Sequence, residues 1–185
     1  MVEKLNNERE IYRRAMKLAI PMMIQNGVTN AVGLVDSIMV GSLGSDSITA
    51  VSIASQLFFV FNLSIFGALS GPGIYGAQYF GQKNKEGFQS IVRLKTVICF
   101  MAVIIAFLVL GIVGDQLIGL YMLGEANSDI NPTIVFNLTH NYVKIMMWQM
   151  VPFIITQIFA SSLREAGESF IPMLAGVISI VIDVV

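Results

Sequence analysis

Polar and apolar positions fall along this chain in long blocks. Residues 1–17 are polar and carry Lys4, Arg9, Arg13, Arg14 and Lys17. Leu18 to Val40 is apolar with a few polar interruptions, and Gly41-Ser-Leu-Gly-Ser-Asp-Ser47 reads as a Gly/Ser turn. A second apolar run extends from Thr49 to Phe80 and ends at the polar connection Gly81-Gln-Lys-Asn-Lys-Glu-Gly87. A third covers Ile91–Val113, and residues 114–139 contain the loop Glu125-Ala-Asn-Ser-Asp-Ile-Asn-Pro132. A fourth covers Tyr142–Ser161, followed by the link Arg164-Glu-Ala-Gly-Glu-Ser169, and a fifth starts at Ile171 and is still apolar at Val185. Runs of about 20 apolar residues match the bilayer core. The pattern therefore predicts an all-α polytopic membrane bundle: an arm at 1–17, then spans at 18–40, 49–80, 91–113, 142–161 and an incomplete 171–185. The 49–80 run exceeds one bilayer thickness and predicts tilt or a protruding end.

Composition agrees. Of 185 residues 55% are apolar and 12% charged, against about 25% charged in soluble domains; mean hydropathy is +0.74. Too little polar surface exists for a soluble enzyme. A net charge of −1, with no basic patch beyond the N-terminus, argues against nucleic-acid binding. One Cys and one His exclude an internal disulfide, a Cys-cluster metal site and a His-based zinc centre. No cofactor is expected. The first run is too long for a secretory signal, lacks a cleavage site and precedes four more runs, so it reads as retained. Lys and Arg collect in the N-terminal arm, in 81–95 and at Arg164, and are absent from 41–48 and 114–139. That alternation predicts a multi-pass cytoplasmic-membrane protein with its N-terminus inside. The final apolar run, with neither cap nor polar tail, predicts a longer parent chain.

Asp36 is the sharpest chemical signal. An ionised carboxylate at the centre of a span costs about 2.5–3.5 kcal/mol on insertion scales. At 100° per residue, Gln25, Thr29 and Asp36 lie within about 40° of one another, a polar stripe suited to a bundle interior or wet cavity. The alternative is that Asp36 caps the Gly41–Gly44 turn. Asp183 follows Ile178-Ser-Ile-Val-Ile182, with Ser179 four residues earlier on the same face; its alternative is the start of an outer loop. An intramembrane carboxylate such as Asp183 suits proton uptake and release. Gln25, Thr29 and Gln56 are candidate cavity-lining residues. Pro21 and Pro152 permit kinks, and Pro21 is the candidate hinge. Gly71-Pro-Gly73-Ile-Tyr-Gly76 matches G-x-G-x-x-G literally, but no strand precedes it. With Gly67 it reads instead as a small-residue face for helix packing.

Ile20-Pro21, Val35-Asp36-Ser-Ile-Met-Val-Gly41, Ala77-Gln78-Tyr-Phe-Gly81, Leu163-Arg164-Glu-Ala-Gly167 with Pro172, and Asp183 occur in an order and spacing that resembles multidrug and toxic compound extrusion (MATE) transporters. The similarity extends over essentially the whole chain. It implies a cation-coupled antiporter of two six-helix lobes and twelve helices, expelling drugs and organic cations through a central cavity. This chain would supply the first five helices of the N-lobe, with a C-terminal lobe as its missing partner. The family's N-lobe coupling carboxylates map onto Asp36 and Asp183. Ser179 stands where the family usually has Asn, and Pro21 matches a proline associated with bending of the first helix. Rival expectations are a lipid-linked saccharide flippase of the same superfamily, which calls for a more basic cavity, and a non-transporting membrane subunit. An intramembrane enzyme is disfavoured, because no nucleophile–base pair is in view.

Overall fold

The computed structural model describes residues 2–124 and 131–184, with the side chains of 2–8, 14, 123–124 and 182–184 outside the described set. Five helices follow one another: α1 (Val2–Gly41), α2 (Ser45–Gly81), α3 (Lys85–Gly124), α4 (Pro132–Glu165) and α5 (Phe170–Val184). Four are long and apolar enough to cross a membrane, over Arg9–Gly41, Ser45–Gly81, Lys85–Met122 and Pro132–Glu165; Phe170–Val181 is a shorter apolar helix. The chain is an all-α membrane helix bundle.

The helices outrun the apolar blocks. The polar arm is helical from Val2 and continuous with the first span. α3 runs on past Val113 to Gly124, and α4 begins at Pro132 rather than near Tyr142. Hydropathy marks only what lies in the hydrocarbon, whereas a helix continues until a cap or turn stops it. Residues 125–130 of the expected loop lie outside the described residues. The start of α4 is fixed by the Asn131 side chain, which accepts from the Thr133 N–H at 3.2 Å, and by Pro132 just inside the helix. Asp46 Oδ1 accepts from the Asn131 N–H at 3.0 Å, joining the first turn of α2 to that cap.

At the opposite end, α2 turns into α3 through residues 82–84. Lys83 takes φ 57°, a left-handed conformation usually left to Gly. The Asn84 N–H then donates to Tyr79 O at 2.9 Å, and Asn84 Oδ1 accepts from the Gly87 N–H at 3.0 Å. Gly87 is required by contact: a Cβ there would lie 2.6 Å from the Tyr79 ring.

α2, α3 and α4 pack together as a three-helix body. Its core is three stripes at helical spacing: Phe61, Ile65 and Leu69 from α2, Cys99 and Val103 from α3, and Met150, Ile154 and Ile158 from α4. The spacing i, i+4 places each stripe on one face, so the facing side chains interdigitate. Phe58 meets Phe153 edge-on, with ring centroids 5.6 Å apart. Towards the 41–45 end the core continues through Ala50, Ile53 and Val135, where the Thr139 hydroxyl donates to Val135 O at 2.8 Å. α1 stands outside this body and packs mainly on α5.

Two of the core stripes end in charges. Lys95 lies four residues before Cys99, is wholly buried, and forms an ion pair with Glu165, the last residue of α4. Ser161 lies between them: Lys95 Nζ donates to Ser161 Oγ at 3.2 Å, and that hydroxyl donates to Glu165 Oε1 at 2.9 Å. The carboxylate fits only because α2 offers it glycines. A Cβ on Gly73 would lie 2.8 Å from Glu165 Oε1, and one on Gly76 would collide with Oε2. These two glycines make the small-residue face anticipated from sequence. Gly67 and Gly71 are not part of it, since nothing lies within 4 Å of where their Cβ atoms would be. They face away from α3 and α4.

Two stability predictions follow from this packing. Removing one member of a buried ion pair strands the other, at about 3–5 kcal/mol, whereas replacing both with apolar residues costs far less. Lys95→Met and Glu165→Met are each expected to lower the thermal midpoint in detergent sharply, and the double variant to recover most of the loss; additive losses would contradict the pairing. Gly87→Ala is expected to cost about 1–3 kcal/mol through overpacking, and Tyr79→Ala in the same chain to remove that cost. A Gly87→Ala variant as stable as the parent would show that the ring is free to move.

Candidate functional site

α1 carries the polar stripe. Leu18, Pro21, Gln25, Val28 and Val32 are half-buried and recur at helical spacing, which makes this the face turned to α5 and α2. Asp36 lies eleven residues beyond Gln25, about 20° away around the helix, and therefore on the same face; its side chain is exposed. Thr29 is exposed and its hydroxyl donates to the Gln25 carbonyl at 2.9 Å; Ser37 donates likewise to Gly33 O at 2.8 Å. These hydroxyls are satisfied by their own helix. α1 continues as helix through Pro21, as α4 does through Pro152.

Gln25 is the junction of three helices. Its Oε1 accepts from Arg164 Nη2 of α4 at 3.1 Å, and its Nε2 lies 2.8 Å from the position a Cβ on Gly176 of α5 would take. A side chain at 176 would require the end of Gln25 to move. Gln25 therefore sits between helices rather than on an open wall.

Gln56 is exposed on α2 and lines a groove of about 500 Å³ between α1 and α2, together with Ser37, Ser52, Ser55 and Tyr121. Ser179 is exposed on α5. Asp183 lies in the last turn of α5, and its side chain is outside the described residues. The packing of α1 on α5 puts the two aspartate-bearing helices side by side.

A second groove, of about 670 Å³, runs between α2 and α4. Phe59, Phe66 and Phe153 line it, Asn62 and Gln157 lie along it, and Arg164 and Glu165 sit at its end nearest the 82–84 turn. From sequence, Lys95 counts only towards orientation, Ser161 closes the fourth apolar run, and Arg164 and Glu165 fall in a polar link and a family-like motif, so none of the four is marked as a site residue. Their register was the available signal. Lys95 continues the Cys99–Val103 stripe, and Ser161 and Glu165 continue Ile154–Ile158, so opposite charges end two stripes of one core.

The whole chain aligns at 25% identity over 185 residues with a probable multidrug resistance protein, YoeA of Bacillus subtilis, and covers 38% of it. It is 24% identical over 169 residues to a probable multidrug resistance protein NorM of Thermotoga maritima, spanning 89% of this chain and 34% of the relative. A NorM of Synechocystis is 26% identical over 140 residues, 76% of this chain and 28% of the relative. The chain thus spans between a quarter and two fifths of the length of these three relatives. No solved structure matches it. The MatE family model matches residues 21–185, and the chain belongs to the MatE family of multi-pass membrane transporters.

Proposed function

We propose that the protein carrying this chain exports drugs, organic cations among them, across the cytoplasmic membrane in exchange for H+ or Na+. Asp36 and Asp183 take up the coupling ion beside Ser179, Thr29 and Gln56 line the substrate path, Gln25 ties α1 to α4 and α5, and Pro21 is the hinge. The observation that carries this reading is the division of the bundle. The helix with Asp36 packs more on the helix with Asp183 than on any other, and both touch the α2–α3–α4 body less closely than its three helices touch one another. Counted from the Gln25–Gly176 contact, with α1 and α5 running in the same sense, Asp36 lies about 16 Å and Asp183 about 10 Å along the pair at 1.5 Å per residue. The two carboxyl-bearing residues are then about one helical turn apart.

The physical logic is desolvation. Carboxylates carried on membrane-spanning helices are costly when bare and less so with a bound cation or proton. Ion uptake therefore favours closure of α1 on α5, and ion loss favours separation. α1 has Pro21 below the Gln25 contact, where its hydrogen-bond ladder lacks a donor. Movement there alters the Gln25–Arg164 bond to α4 while the α2–α3–α4 body, fixed by its buried ion pair, stays whole. Alternating access in such transporters rocks one lobe against another around a midplane site. The short span of the relatives covered by this chain supports a second lobe elsewhere in the parent protein. The basic ends at 81–95 and Arg164 support a cytoplasmic N-terminus.

The flippase alternative needs a basic cavity. Lys95 lies inside the bundle, but Glu165 neutralises it, which favours the drug-efflux reading. Asp36→Asn keeps the side chain's size and removes its charge. In everted vesicles it is expected to lower gradient-driven efflux of a fluorescent cation to background, at least tenfold, with membrane insertion unchanged. Efflux at the parent rate would sink the coupling assignment.

A further inference from the structure

The α2–α4 groove has an unbalanced charge. Only two charged residues line it, Arg164 and Glu165. Glu165 is already neutralised by Lys95 behind it. Arg164 is half-buried and has no ion-pair partner among the described residues; its hydrogen bond goes to the neutral amide of Gln25, and its Nε is buried without an acceptor. One end of the groove therefore carries a net charge of +1 in a partly desolvated setting. A guanidinium in that position is costly until an anion pairs with it, and its planar fork suits a carboxylate. The rest of the groove is uncharged and mainly apolar and aromatic, with Asn62, Ser70, Gln157 and Ser161 as its polar side chains. Phe59 and Phe66 are among its exposed side chains, and Phe153 closes the opposite wall. Its volume of about 670 Å³ is in the range of drug-sized sites.

We propose that this groove is a substrate subsite for aromatic compounds bearing one carboxylate, whether anionic or zwitterionic, with Arg164 binding the carboxylate and the phenylalanines packing on the ring. This deepens the transport reading and rests on it for the word substrate; the binding itself does not. A cationic group on the same compound meets a carboxylate whose Oε1 is already held by Lys95 and Ser161. Glu165 Oε2 has no hydrogen-bond partner among the described residues, but it is buried against Gly76 and its charge is offset by Lys95. A pyrophosphate headgroup would need more than the one free cation that the groove offers among the described residues.

The test uses three probes with one ring system and three charges: 9-anthracenecarboxylate, 9-anthracenemethanol and 9-(aminomethyl)anthracene. Their affinities are measured by fluorescence on the protein carrying this chain, embedded in nanodiscs without any ion gradient. The carboxylate is expected to bind at least tenfold more tightly than the alcohol and the amine. Arg164→Gln should erase that gap while leaving the alcohol within about twofold, and Arg164→Lys should retain part of it. Ser70→Trp, which fills the groove from α2 and leaves Arg164 in place, should weaken all three probes. Equal affinities, preference for the amine, or a gap that survives Arg164→Gln would overturn the subsite. Because no gradient is applied, those outcomes bear on the subsite alone, and failure of efflux in vesicles bears on the transport reading alone.

Discussion

The Lys95 ammonium is wholly buried, ten residues into a membrane helix, and the arrangement of the bundle's main body follows from keeping it paired. An unpaired ammonium there would cost several kcal/mol. Glu165 compensates it from the last residue of α4, which sets how far α4 slides against α3. The carboxylate in turn needs a gap in the surface of α2, which Gly73 and Gly76 provide. Three helices are thus held in register by one pair, one hydroxyl and two missing side chains. Apolar packing alone would leave that register loose, since leucine and isoleucine stripes can slide by a turn at modest cost, and lipid surroundings offer no hydrophobic force between helices.

A rigid body of this kind gives the remaining helices something to move against. α1 and α5 each pack more on the other than on any single helix of the body. Gln25 joins them to α4 through a single side-chain hydrogen bond to Arg164 and sits against Gly176 of α5. That bond is charge-assisted, but it is a single contact of a half-buried guanidinium, and exchanging it for water or another acceptor costs less than breaking the wholly buried ion pair. The stronger link lies within the body and the weaker one across its boundary.

The membrane bundle was legible in the sequence because each span is a long apolar run with basic residues at alternating ends. Asp36 was legible for the same reason, being a carboxylate where apolar residues are expected. The helix ends were not. Hydropathy falls at Val113 and Tyr142, but helices stop at caps, so α3 and α4 run on as far as Gly124 and Pro132. Lys95 and Glu165 were read as loop charges because each lies close to a polar connection. Only their partners show otherwise, although both keep the spacing of the core stripes they end. Gly73 and Gly76 could be read as small residues, but not as the receptor for a carboxylate on a helix far away in sequence.

The central claim is that α2, α3 and α4 behave as one body against which α1 moves. Spin labels at the exposed positions Leu63 of α2, Ile145 of α4 and Leu34 of α1 would report it by pulsed dipolar spectroscopy on the protein carrying this chain. Distances would be compared with and without coupling ion. The account predicts an unchanged Leu63–Ile145 distribution and a shifted Leu34–Ile145 distribution. A shift between Leu63 and Ile145 as large as that between Leu34 and Ile145 would contradict it.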